Sequence, residues 1–221
     1  LSKRLELLAY LVEKHKKGNI LADIGTDHAD VPCYLIEKNI IDKAYACDVA
    51  PGPLDNAKRN IHLHHLEEQV TCLLMDGIKE LPSDVDSIVI AGMGASLMIN
   101  ILEQGKSHIK KGMHFYFCPH KDTSLLREYV SKQGFRIEQE CVVEEDGHFY
   151  PIMKLVYTNT PYSLTQSEIL YGVSCRKDAT YSSFLQKEQE KWKQIVAHMP
   201  KDKRTEANQR LQILENMRRQ S

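Results

Sequence analysis

The feature that most constrains this chain is a repeated exchange between short apolar runs and helix-patterned segments. NILADIG (19–25), KAYACDV (43–49), QVTCLLMD (69–76), VDSIVIAG (85–92) and HFYFCP (114–119) each read as a strand. Between them, DVPCYLIEKN (30–39), PGPLDNAKRNIHLHH (51–65), ASLMINILEQG (95–105) and TSLLREYVSKQG (123–134) space their apolar residues as helices do. Asp30 is a plausible helix cap, Pro32 and Pro51 suit first turns, and Gly105 stops the third of these helices. The opening segment adds a helix, with Leu1, Leu5, Leu8 and Val12 on one face and Ser2 as its cap. Such alternation predicts an α/β fold built on a doubly wound parallel sheet.

The last β-rich stretch, FRIEQECVVEEDGHFYPIMKLVY (135–157), has two halves around Asp146-Gly147, a hairpin signal. A sheet that ends in an antiparallel hairpin, with no crossover helix between its strands, resembles that of the Rossmann-like S-adenosylmethionine-dependent methyltransferases. After Pro161 no strand signal follows. Phe184, Leu185, Trp192, Ile195, Val196 and Met199 form one apolar stripe, and Ala207, Leu211, Leu214 and Met217 a second. The break HMPKDK (198–203) between them predicts an antiparallel, coiled-coil-like helical hairpin. Two domains are therefore expected, a Rossmann-like one over 1–160 and a helical hairpin over 161–221.

Composition narrows the classes. Apolar residues make up 42% of the 221, enough for a sizeable core, and no apolar run approaches the ~20 residues of a membrane span. The six cysteines form no CxxC pair and several lie in apolar runs, so they read as buried thiols of a reducing cytoplasm, not as disulfides or metal ligands. His62, His64 and His65 do not share a helical face and read as surface; no metal is expected. No secretory signal is read, which makes a cytoplasmic location the expectation. The net charge of −1 is uninformative, but residues 161–221 hold 11 Lys/Arg against 7 Asp/Glu while the preceding part is acidic.

In open α/β sheets ligands bind beyond the carboxyl ends of the strands. At those ends stand Asp23, Gly25, Thr26, Asp27 and His28; then Asp48 and Val49; then Asp76 and Gly77; then Gly92, Met93 and Gly94; then Pro119 and His120. Carboxylates ending three successive strands suit a nucleoside-bearing cofactor, with Gly25 letting backbone pass close, Asp48 facing ribose hydroxyls and Asp76 an adenine amino group. The spacing of Asp48 from Gly25 fits a dinucleotide equally well. The turn decides: GTDHAD puts two acids where a diphosphate would need backbone amides. S-adenosylmethionine has no phosphate and carries a sulfonium and an ammonium, so the acids are assets.

The motifs DIGTDHA (23–29), ACDVAPGPLDNAKRNI (46–61), DGIKEL (76–81), IAGMGASLMINIL (90–102), CPHKDTSLLREYVSKQGF (118–135) and EEDGHFYPIMKL (144–155) resemble, in order, the bacterial tRNA (adenine-22 N1)-methyltransferase family. Ala95 stands where that family usually has a second glycine. Cys118-Pro119-His120 replaces its usual Gln-Pro-Asn, and Tyr150-Pro151 its Tyr-Glu. The resemblance implies methyl transfer from S-adenosylmethionine to N1 of an adenine in tRNA. N1 has its own lone pair, so alignment matters more than a nucleophilic side chain. Asp27 or His28 is the expected base-orienting group or proton acceptor; otherwise Asp27 binds the cofactor's amino-acid end and His28 caps the following helix. Met93 could shape the base slot. Lys187, Lys191, Lys193, Arg204, Arg210, Arg218 and Arg219 of the hairpin are expected to hold tRNA phosphates, in a protein that acts as a monomer. Two readings stay open beside this one: a methyltransferase for another RNA or a small metabolite, and a non-catalytic RNA-binding module.

Overall fold

The computed structural model describes residues 1–175 and 177–220, Gln220 by its backbone alone. Seven strands form one sheet: β1 (Ile20–Ile24), β2 (Lys43–Asp48), β3 (Val70–Leu74), β4 (Ser87–Ala91), β5 (His114–Cys118), β6 (Phe135–Glu145) and β7 (His148–Tyr157). Their order is β3-β2-β1-β4-β5-β7-β6, parallel except for β7, which runs antiparallel to both β5 and β6. The hairpin turns at Asp146 and Gly147, with φ of 51° and 77°; two positive φ values are what a two-residue turn between twisted strands requires.

The central strands are apolar throughout because both faces are covered. Along β4, Ile88 and Ile90 enter one core and Val89 the other; along β5, Phe115 and Phe117 oppose Tyr116 and Cys118. One core receives α4 (Ala95–Gln104) and α5 (Thr123–Lys132). The other receives α1 (Lys3–His15), α2 (Asp30–Glu37) and α3 (Pro51–Leu63). The start of α2 differs from expectation. Asp30 is its first residue, not its cap; Ala29 precedes it in a left-handed conformation (φ 54°) with no side-chain cap.

Beyond the sheet lie α6 (Gln166–Tyr171), α7 (Ala179–His198) and α8 (Thr205–Gln220). The short α6 opens on a capping box between Thr165 and Glu168. α7 and α8 pack together and onto the β6–β7 hairpin through Tyr181, Leu185, Leu214, Val142 and Phe149. Strand alternation gives the hairpin's tip two working faces. Glu144 and Phe149 meet Lys187 of α7, whereas their neighbours Glu145 and Tyr150 meet Arg4 of α1. A buried ion pair of the sheet part, Arg127 of α5 and Glu140 of β6, 3% and 0% exposed and 2.9 Å apart, reaches across to the Ile169 and Leu170 carbonyls and the Val173 amide.

Candidate functional site

The turn after β1 is built by backbone. The amides of Gly25 and Thr26 both donate to the carbonyl of Cys47 at the end of β2, at 2.8 and 2.9 Å. This tight approach holds Gly25 at φ +76°, and a Cβ there would meet the Met93 methyl at 2.5 Å. Asp23 lies beneath the turn with 8% exposure. Burial lifts its pKa to about 6; the Thr26 hydroxyl bonded to it opposes the shift, and the Asp30 and Asp48 carboxylates add to it. Thr26 also accepts from the Ala29 amide at 3.1 Å, so it, and not His28, ties the entry of α2.

Asp27 and His28 are exposed and face each other, Oδ2 to Nε2 at 3.4 Å. Asn56 and Asn60 of α3 hold this corner: Asn56 donates to Asp27 at 3.3 Å, and Asn60 to the His28 carbonyl at 2.8 Å. At the end of β2, Asp48 accepts from the Ala50 amide at 2.8 Å through Oδ1, and Oδ2 has no partner among the described residues. At the end of β3, Asp76 is exposed and, among the described residues, paired only with Lys79, followed by Gly77 at φ +61°. Val49 and Leu74 leave apolar side chains in solvent beside these carboxylates, 68% and 63% exposed. Leu74, cross-strand from Asp48, was not legible as a site residue.

The loops after β4 and β5 are laced together. Gly92 donates to the Cys118 carbonyl at 3.2 Å, the His120 amide to the Met93 carbonyl at 3.2 Å, and Ala95 to the Lys121 carbonyl at 3.3 Å. Lys121 lays its methylenes against Gly94.

A cavity of about 350 Å³ opens between these loops and α1. Its walls include Asp23, Asp27 and Asp30 on one side and Gly92 and Cys118 on another. Asp48, Val49, Asp76, Gly77, Met93 and Gly94 lie outside its lining, on the strand ends beside it. The third wall is the start of α1, with Ser2, Arg4 and Leu5. Arg4 brings a cation to a cavity otherwise rich in carboxylates. Its guanidinium stacks 4.4 Å from the Tyr150 ring centroid and donates through Nε to Glu145, which that contact holds below the usual carboxylate range against the opposing pull of desolvation. Sequence reasoning missed Arg4 because its partners are 141 and more residues away.

The cations of α7 and α8 divide into two groups. Lys187, Lys191, Lys193 and Arg219 are exposed, and the first two sit in surface pairs with Glu144 and Glu188, at 3.0 and 3.3 Å. Arg210 stacks 4.6 Å over Trp192, Arg204 donates to the Met199 carbonyl at 2.7 Å, and Arg218 donates to Gln189. These last three brace the hairpin. Among the described residues, no three or more His, Cys, Asp or Glu are grouped to hold a metal ion, and no helix is long and apolar enough to cross a membrane.

A seven-stranded sheet with this order, a glycine turn after β1 and carboxylates on successive strand ends define an α/β protein of the Rossmann-like methyltransferase class. The model of the tRNA (adenine(22)-N(1))-methyltransferase family, TrmK, matches residues 21–220. The chain belongs to that family. The tRNA (adenine(22)-N(1))-methyltransferase of Bacillus subtilis strain 168 is 29% identical over 204 residues, covering 90% of this chain and 82% of the relative. Among solved structures, Streptococcus pneumoniae Sp1610 in complex with S-adenosyl-L-methionine superposes with a TM-score of 0.86 at 30% identity, over 99% of each chain. M. capricolum TrmK, solved with the cofactor product S-adenosyl-homocysteine, gives 0.85 at 26% identity, over 99% of this chain and 98% of that one.

Proposed function

We propose that this chain is an S-adenosylmethionine-dependent methyltransferase that modifies N1 of an adenine in tRNA, adenine 22 by family. The observation that carries the reading is the run of carboxylates at the ends of β1, β2 and β3 around a turn that only glycine fits comfortably. That set suits a nucleoside cofactor with a cationic centre and repels a diphosphate. S-adenosylmethionine supplies the methyl group.

In this reading Asp23, with Asp27 and Asp30, faces the positive end of the cofactor, while Arg4 takes its carboxylate. Asp48 receives the ribose hydroxyls through its free Oδ2, and Asp76 the adenine amino group. Val49 and Leu74 offer the adenine ring an apolar seat, and Gly77, Gly92 and Gly94 keep backbone out of its way. Met93, packed on Gly25, bounds the slot for the target base. That base must leave its stack to arrive there. Asp27 and His28 border the cavity and orient the base. Residues 161–221 hold the tRNA, and the chain works as a monomer in the cytoplasm.

The deciding experiment is methylation of unmodified tRNA with labelled S-adenosylmethionine, followed by mapping of the product nucleoside. N1-methyladenosine is expected; N6-methyladenosine or a methylguanosine would refute the assignment. A second expected result concerns the hairpin. The pairs of Lys187 and Lys191 are surface contacts worth about 0–1 kcal/mol each, so a phosphate can replace their partners. Changing Lys187, Lys191 and Lys193 together to Gln should raise the apparent KM for tRNA about tenfold or more and flatten its log–log salt dependence by about two. Cofactor affinity should not change. An unaltered salt slope would show that these lysines do not meet phosphates.

A further inference from the structure

His120 stands two residues beyond β5, and its ring is anchored through one nitrogen. Nδ1 lies 3.1 Å from the carbonyl oxygen of Gly92. A carbonyl only accepts, so Nδ1 carries a hydrogen, and in the neutral tautomer that this bond selects Nε2 presents a lone pair. The His120 amide donates to Met93 at 3.2 Å, which ties the same residue to the same loop a second time. The side chain is exposed, and Nε2 has no partner among the described residues. Gly92, which fixes the ring, also lines the cavity. The polar pair that lines the cavity is differently placed: Asp27 and His28 lie 3.4 Å apart, and Asn56 of α3 donates to Asp27.

We propose that His120 reads the target base as adenine, its Nε2 accepting a hydrogen bond from the exocyclic amino group next to N1. The proposal rests on the functional reading above and names the residue that gives it base specificity. Adenine offers an unprotonated N1 beside an amino donor. Guanine offers a protonated N1 beside an oxygen acceptor. A lone pair at Nε2 bonds the first and opposes the second. The bond also acts on rate. As N1 takes the methyl group it becomes positive, the amino hydrogens grow more acidic, and their bond to Nε2 strengthens. An interaction stronger in the transition state than in the ground state raises kcat more than it lowers KM.

The test uses the full chain and tRNA carrying at the target position either adenosine or purine riboside, which keeps N1 and lacks the amino group. His120→Ala is expected to lower kcat on adenosine tRNA at least about tenfold with a smaller change in KM, and to leave cofactor affinity unchanged. Loss of the amino group should cost the wild type at least about tenfold more than it costs His120→Ala, because the variant has no bond left to lose. His120→Asn, whose amide can donate to Gly92 and accept from the base, should recover most of the loss; His120→Phe should not. If the wild type forms N1-methyladenosine but His120→Ala matches its rate, or suffers equally from the missing amino group, the proposal is wrong and the function stands. A wild type that forms no N1-methyladenosine overturns the functional reading and the proposal together.

Discussion

Replacing Asp23 by Asn is expected to make the cofactor-free protein more stable while weakening S-adenosylmethionine binding by about a hundredfold. Both effects come from one buried carboxyl, raised by desolvation above all from its ordinary value of 3.8 to about 6. The folded state binds a proton here more tightly than the unfolded chain does. Between pH 3.8 and about 6 the folded protein therefore carries more protons, and its stability falls as pH rises. Above that window the ionised group costs the empty fold on the order of 3 kcal/mol, which asparagine removes while still accepting from the Thr26 hydroxyl. A gain of several degrees in thermal midpoint should appear at pH 7.5, shrink to about half at pH 5 and vanish only below pH 3.8. A cationic ligand recovers that cost in the wild type, so cofactor affinity should rise with pH through about 6 in the wild type and stay flat in the variant. Thermal scans at both pH values, with and without S-adenosylmethionine, decide the matter. A variant that is less stable when empty, or that binds normally, contradicts this account of Asp23.

The second large effect is expected at the junction of the two parts. Arg127 spends its donors on both oxygens of Glu140 and on the carbonyls of Ile169 and Leu170 at the end of α6. Glu140 in turn accepts from the Val173 amide at 2.8 Å. Glu140→Ala leaves a buried guanidinium without its counter-charge and an amide without an acceptor, a loss of about 3–5 kcal/mol in denaturant unfolding. Arg127→Met combined with Glu140→Met should recover part of that loss, since an apolar pair leaves no charge stranded. Hydrogen exchange should locate the weakening first in α6 and the segment leading to α7. A Glu140→Ala chain within about 1 kcal/mol of the parent would mean that water already reaches the pair.

Much of this was legible in the residues because the relevant forces are local. Strands buried on both faces must be apolar along their length, which is why SIVIA and HFYFC stood out, and Asp-Gly is suited to a hairpin's positive φ values. The short α6 hides for the opposite reason. Its capping box, Thr165 to Glu168, was readable, but six residues leave no room for periodicity. Arg4 looked like one more charge on an amphipathic helix; only the closed sheet brings Glu145 and Tyr150 to it. The hairpin cations show the limit of counting charge. Arg210 and Lys193 weigh equally in a sum, yet one is stacked on Trp192 and the other is open to solvent.

The two-faced tip of the β6–β7 hairpin also limits how the gene for such a protein can drift. Glu144 and Glu145 are neighbours in sequence, but one is tethered to Lys187 of α7 and the other to the cavity's arginine. Inserting or deleting a single codon within either strand would exchange those loyalties, turning Glu144 toward Arg4 and Phe149 or Tyr150 toward the wrong neighbour. Length changes there keep both faces only in matched, even steps, or where a bulge absorbs the odd residue as β6 does between Ile137 and Gln139. Residues at the tip itself can be substituted far more freely than they can be added or removed.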